Sequence, residues 1–154
     1  EQIFQRVIIM NNLPLIMAYF CVNYPFKDEI SNARLTKMVY LADLYSIKKF
    51  GNQLTNIRWY FDNFGPFVHD IENEAYRNPD FEIISGLTMY GTPKRLIRFL
   101  HNSVNYEIPN QVIEILDKVI DDTKMLNWNQ FIDFVYNTSP VRNSYRYSYL
   151  DLSK

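Results

Sequence analysis

Ser31-Asn32-Ala33-Arg34-Leu35-Thr36-Lys37-Met38-Val39-Tyr40-Leu41-Ala42-Asp43-Leu44-Tyr45-Ser46-Ile47-Lys48-Lys49-Phe50-Gly51 reads as a helix with both ends marked. Ser31 or Asn32 can accept a hydrogen bond from the free backbone N–H groups of a first turn. Leu35, Met38, Val39, Ala42 and Tyr45 recur at the spacing that places side chains on one helical face. Lys48 and Lys49 suit the negative end of the helix dipole, and Gly51 suits the left-handed residue that closes a helix. A helix over 32–49 is therefore the best-defined element, and its neighbours in sequence must cover its apolar stripe.

Working outward, Asn12 followed by Leu13-Pro14 marks a helix start, with Asn12 as the cap, and predicts a helix over 13–23 that stops near Pro25. On the other side, Ile57-Arg58-Trp59-Tyr60-Phe61 is β-prone, Gly65-Pro66 reads as a turn, and a short helix runs from His69 to about Arg77. Phe81, Ile83, Leu87 and Met89 alternate with Glu82 and Thr88, Gly91-Thr92-Pro93 interrupts, and Leu96 to Leu100 resumes: a β-hairpin at about 81–101. Pro109 opens a helix to about 122 whose Val112, Ile113, Leu116, Val119 and Ile120 form an apolar stripe, and a further helix covers 128–136. Tyr145, Tyr147 and Tyr149 alternate with Arg146 and Ser148, which predicts a last short strand beside the hairpin. The expected fold class is α+β: one predominantly helical domain over 1–154 with a small antiparallel sheet made of the hairpin and the C-terminal strand. Its core should hold Leu35, Met38, Val39, Ala42, Val112, Leu116 and Val119.

The bulk composition narrows the function classes. A chain of 154 residues with 47% hydrophobic and 21% charged residues can form one core and lacks the profile of a disordered chain. Its formal net charge of −1 supplies no global field toward nucleic acid or an anionic membrane. Cys21 is the single cysteine, so neither an internal disulfide nor a cysteine zinc cluster is available, and a reducing cytoplasm is the expected compartment. Asn11, Asn12 and Pro14 interrupt the longest apolar stretches, well short of the ~20 residues a membrane span needs. The chain opens on Glu1 rather than methionine, which leaves open whether residues precede it.

Candidates for chemistry are few. His69 and His101 lie in different segments without a Cys or His at a metal-ligand spacing, so neither a metal nor another cofactor is expected. His69 beside Asp70 could be a general base, but adjacent helical residues do not face each other. Cys21 sits among Tyr19, Phe20 and Val22, the setting of a buried structural thiol rather than an activated nucleophile. No GxSxG, Walker loop or GxGxxG occurs among the 4 glycines. Glu72 and Glu74, like Asp121 and Asp122, read as solvated carboxylates rather than an acid/base pair.

Two surface readings remain. Lys94, Arg95, Arg98, Arg142, Arg146, Tyr145 and Tyr147 would form a basic, tyrosine-rich face for nucleic acid if the hairpin and the C-terminal strand were neighbours; charges lining a sheet edge are the plainer account. Trp59, Tyr60, Phe61, Phe64 and Phe67 fall within nine positions, too dense for all to point into a core from a short strand and a turn. Exposed aromatics of this kind anchor protein interfaces, although a tight turn could also bury them locally.

Leu35-Thr36-Lys37-Met38-Val39-Tyr40-Leu41-Ala42-Asp43, then Lys48-Lys49-Phe50-Gly51, Arg58-Trp59-Tyr60 and Phe64-Gly65-Pro66-Phe67-Val68, resembles in order and spacing the signature of the Panacea domain, or SocA-like antitoxin domain. Thr138-Ser139-Pro140 looks like the family's terminal T-x-P element, with Val141 where the family often has an aromatic. The likeness is close over about Ser31 to Glu74, and over 80–127 it is one of pattern only. It implies an antitoxin-type protein, frequent in prophages, that neutralises a cognate toxin by direct binding; some relatives act as adaptors that bring the toxin to a protease. It implies no catalysis. Arg58, Trp59, Tyr60, Phe64 and Phe67 are the candidate partner-binding residues, with the side of the 32–49 helix at Lys37, Tyr40 and Asp43 as a second candidate surface. The rival readings are a nucleic-acid-binding regulator and, third, an enzyme using His69 and Asp70.

Overall fold

The computed structural model describes residues 12–104 and 107–154. Its helices are α1 (Leu13–Asn23), α2 (Asn32–Phe50), α3 (Asp70–Arg77), α4 (Asn110–Thr123), α5 (Trp128–Tyr136) and α6 (Ser139–Arg142), with a 3-10 turn at Lys27–Glu29. The strands are β1 (Tyr60–Asp62), β2 (Gly65–Pro66), β3 (Phe81–Leu87), β4 (Pro93–Phe99) and β5 (Ser148–Tyr149). The expected α+β, mainly helical architecture is the one observed, and the helix bounds fall within a residue or so of those read from periodicity.

α2 is the central element. The Ser31 side chain accepts from Arg34 N and Gly51 closes the helix at φ 80°, as the end signals predict. Leu35, Met38, Val39 and Ala42 pack with Val112, Leu116 and Val119 of α4 in one buried cluster. α1, α4 and β4 also cover the helix, so its polar side chains are enclosed too: Arg34, Thr36, Lys37, Asp43 and Ser46 are all buried. Arg34 is held by the Tyr24 hydroxyl and by the Thr123 and Leu126 carbonyls. Such satisfaction is the condition on which a buried polar group is tolerated.

Three local expectations change. The Asn12 side chain makes no capping bond; only the backbone carbonyl of Asn12 takes part, accepting from Ile16 N. Gly65-Pro66 is not the turn but the short strand after it: Phe61 pairs with Pro66 and Asp62 with Gly65, so the chain reverses at Asn63-Phe64. The C-terminal strand does not join the hairpin. β5 pairs with β1, giving the order β2-β1-β5, while β3 and β4 form a separate two-stranded sheet. Part of the free edge of β4 is already occupied, since Ile97 N donates to Ile30 O and Ser31 bridges to Leu96.

Candidate partner-binding face

Strand alternation divides the aromatic run. Trp59 and Phe61 point inward and are buried, whereas Arg58 is exposed and Tyr60 half-buried on the other side. Phe64 stands at the reversal between β1 and β2 with 72% of its surface exposed, and Phe67 is half-buried behind it. The arrival of β5 beside β1 brings Tyr149, and Tyr147 just before it, both exposed, onto the same small sheet.

This face is held by its own contacts. Arg146 donates from Nε to the Asn63 carbonyl at 3.2 Å and from Nη2 to the Tyr136 hydroxyl at 3.2 Å. The Tyr147 hydroxyl donates to Asn63 Oδ1 at 2.6 Å, so the turn that carries Phe64 is tied to the C-terminal segment at two atoms of one residue. The Arg58 guanidinium lies 3.6 Å from the centre of the Tyr149 ring, which meets Tyr60 edge-on at 5.2 Å. Tyr147 adopts φ 68°, a left-handed conformation costly for a bulky residue, while its N–H donates to the Phe61 carbonyl.

The other candidate residues are interior, which corrects their reading as a contact surface. Trp59 is 1% exposed and its Nε1 donates to Asp43 Oδ2 at 2.8 Å. Asp43 accepts five hydrogen bonds, from the Leu54 and Thr55 N–H groups, the Thr55 hydroxyl, Trp59 Nε1 and Gln53 Nε2. Burial pushes its carboxyl up to about 6 against the pull of those bonds. Asp43 thus fastens the loop from Gln53 to Trp59 onto α2. Tyr40 is also buried; it meets Trp59 edge-on at 5.6 Å, and its hydroxyl lies 2.8 Å from that of Thr138. The motif residues Tyr40 and Thr138, far apart in the chain, therefore touch each other and act in the fold. Lys37 is 2% exposed, with Nζ 5.7 Å from the centre of the Phe67 ring. Burial lowers its amine to about 8, and Asp62 offsets part of that effect.

The basic face proposed for nucleic acid is not assembled, because Lys94, Arg95 and Arg98 lie on the separate hairpin. Arg95 pairs with Glu72 at 2.6 Å, Arg98 with Asp28 at 2.6 Å, and Lys94 donates to the Asp28 carbonyl. Beside the hairpin, a cleft of about 230 Å³ is lined by Cys21, Lys27, Arg98 and His101, among others. Lys27 there donates to the Cys21 and Val22 carbonyls at the end of α1, and His101 pairs with Asp80. Burial pushes the Cys21 thiol up to about 12, which keeps it protonated at neutral pH. His69 stacks edge-on against Phe67 at 5.3 Å, and no hydrogen bond joins it to Asp70 among the described residues. No helix among the described residues is long and apolar enough to cross a membrane.

Tyr149, Asn63 and Tyr136 were not among the candidate residues. The Tyr145, Tyr147, Tyr149 alternation signals the first of them, although its strand lies beside β1 and not beside the hairpin; nothing local marks Asn63 or Tyr136.

The chain is thus a small, mainly helical α+β domain that carries an exposed aromatic face braced by Asn63, Arg146 and Arg58. The family model for the antitoxin SocA-like, Panacea domain matches residues 35–140, and the chain belongs to that family. Comparison with curated proteins and with solved structures finds no match.

Proposed function

We propose that this protein is an antitoxin that neutralises a cognate toxin by direct binding, through the face formed by β2, β1 and β5. The supporting observation is the bracing of that face. Tyr147 and Tyr149 are exposed yet held by Asn63 and Arg58, and the turn that carries the exposed Phe64 is tied down at Asn63, so less freedom remains to be lost on association. Family membership supports a toxin as the partner. On this reading the action is stoichiometric rather than catalytic, in keeping with a Cys21 thiol that burial holds protonated and a His69 packed on the Phe67 ring. Delivery of the bound toxin to a protease is a separable second step, read from toxin half-life in cells with and without the antitoxin.

The test is co-expression with the open reading frame adjacent to the gene, scoring rescue of growth and co-purification. Phe64→Ala should melt like the parent and lose about 2 kcal/mol or more of binding. Trp59→Ala removes a buried ring and the Asp43 bond, so it should lose the partner only by lowering the melting temperature. A Phe64→Ala protein that folds and binds as tightly as the parent would remove this face from consideration. Failure to rescue growth from any adjacent product would remove the antitoxin reading.

A further inference from the structure

Lys37 is a largely buried lysine that feels the attraction of Asp62 but makes no ion pair with it. It is 2% exposed, and among the described residues no hydrogen bond or ion pair reaches its Nζ; a ring at 5.7 Å and the attraction of Asp62 are what it has. An interior ammonium is normally tolerated only when paired and hydrogen-bonded. Arg34, one turn earlier on the same helix, shows the ordinary solution, with hydrogen bonds to one hydroxyl and two carbonyls.

The amine lies directly under the candidate face. A Cβ built on Gly65 would stand 3.9 Å from Lys37 Cε and 3.5 Å from Tyr136 Cε2, so the end of the lysine runs beneath the strand that follows Phe64. Above it the face is also cationic. Over residues 58–68 and 145–149 the charged side chains are Arg58, Arg146 and Asp62, and Lys37 adds a third positive charge, in a chain whose net charge is −1. Phe67, whose ring centre lies 5.7 Å from the amine, is half-buried.

Resting on the functional reading above, we infer that the toxin presents an acidic segment to this face and that Lys37 receives one of its carboxylates beside Phe67. Arg58 and Arg146 then attract the rest of the segment while the tyrosines pack against it. The unpaired lysine is what the free protein keeps in readiness, and complexation supplies its counter-ion.

Selection of a display library of short random peptides on the whole protein tests this without knowledge of the toxin. Enriched sequences should be rich in Asp and Glu. Their affinity, read by fluorescence anisotropy, should fall by about thirtyfold or more in Lys37→Met and Lys37→Gln. Arg58→Glu and Arg146→Glu should weaken binding and reduce its salt dependence, and Lys37→Met should melt no lower than the parent. Neutral or basic selected peptides, or acidic ones indifferent to Lys37, overturn the inference. So does failure of both Lys37 variants to fold, because the amine would then be serving the chain itself. Oligothymidine binding that depends on Arg58 and Arg146 but not on Lys37 would replace the acidic segment with nucleic acid. A toxin that is neutralised equally by all four variants refutes this inference and leaves the antitoxin reading intact; acidic peptides captured as expected without neutralisation do the reverse.

Discussion

Replacing Lys37 by methionine should stabilise the protein. Burial lowers the amine from 10.5 to about 8, and at about 1.4 kcal/mol per tenfold the charged form is disfavoured in the fold by about 3 kcal/mol. Methionine has similar length, suits a helix and needs no counter-ion, so Lys37→Met should gain up to about 3 kcal/mol at pH 7, less any packing mismatch. The pH dependence gives a sharper check. Below pH 8 the lysine is charged in both states and the penalty is fully present. As pH rises from 8 toward 10.5 the folded protein releases its proton first, so the unfolded chain binds more protons and stability rises. Between pH 7 and about 9.5 that rise is about 2 kcal/mol. Burial holds the phenols of Tyr19, Tyr24, Tyr40 and Tyr45 above their ordinary value, and their opposite effect above about pH 10 is common to parent and variant. Urea unfolding of both proteins at a series of pH values isolates the lysine as the difference between the two curves. A variant less stable than the parent at pH 7, or a difference that does not shrink with pH, refutes the assignment of a buried amine whose burial Asp62 only partly offsets.

Other expected outcomes follow from the core and the turn. Leu116→Ala, at a fully buried position between α2 and α4, should cost about 2–5 kcal/mol in chemical denaturation; a negligible change would place Leu116 at the surface. Gly65→Ala puts a side chain at φ +99° and against Tyr136, and should cost about 1–2 kcal/mol in the same assay. His69→Ala and Asp70→Asn should leave neutralisation intact apart from any loss of stability; loss of neutralisation with fold and partner binding preserved would require a catalytic role.

What could be read from the sequence is what depends on neighbours along the chain. Ser31 and Gly51 bound α2 because capping and left-handed closure involve residues a few positions apart, and the stripe of Val112, Leu116 and Val119 sets the buried side of α4 for the same reason. The motif resemblance carried the family, since Leu35 through Asp43 and Gly65-Pro66 are matched in order and spacing. Roles fixed across the chain were not legible. Periodicity gives one buried stripe per helix, but α2 is enclosed by several neighbours, so Lys37, Tyr40 and Asp43 lie inside although polarity suggested a surface. Trp59 and Phe64 look alike as members of one aromatic run; strand alternation and the hydrogen bond to Asp43 bury the first, while the reversal at Asn63-Phe64 exposes the second. The placement of β5 required the tertiary structure most of all. An edge strand accepts any partner with free N–H and C=O groups, and the edge of β4 was already partly taken by Ile30 and Ser31 while that of β1 was open to Tyr147 and Leu150.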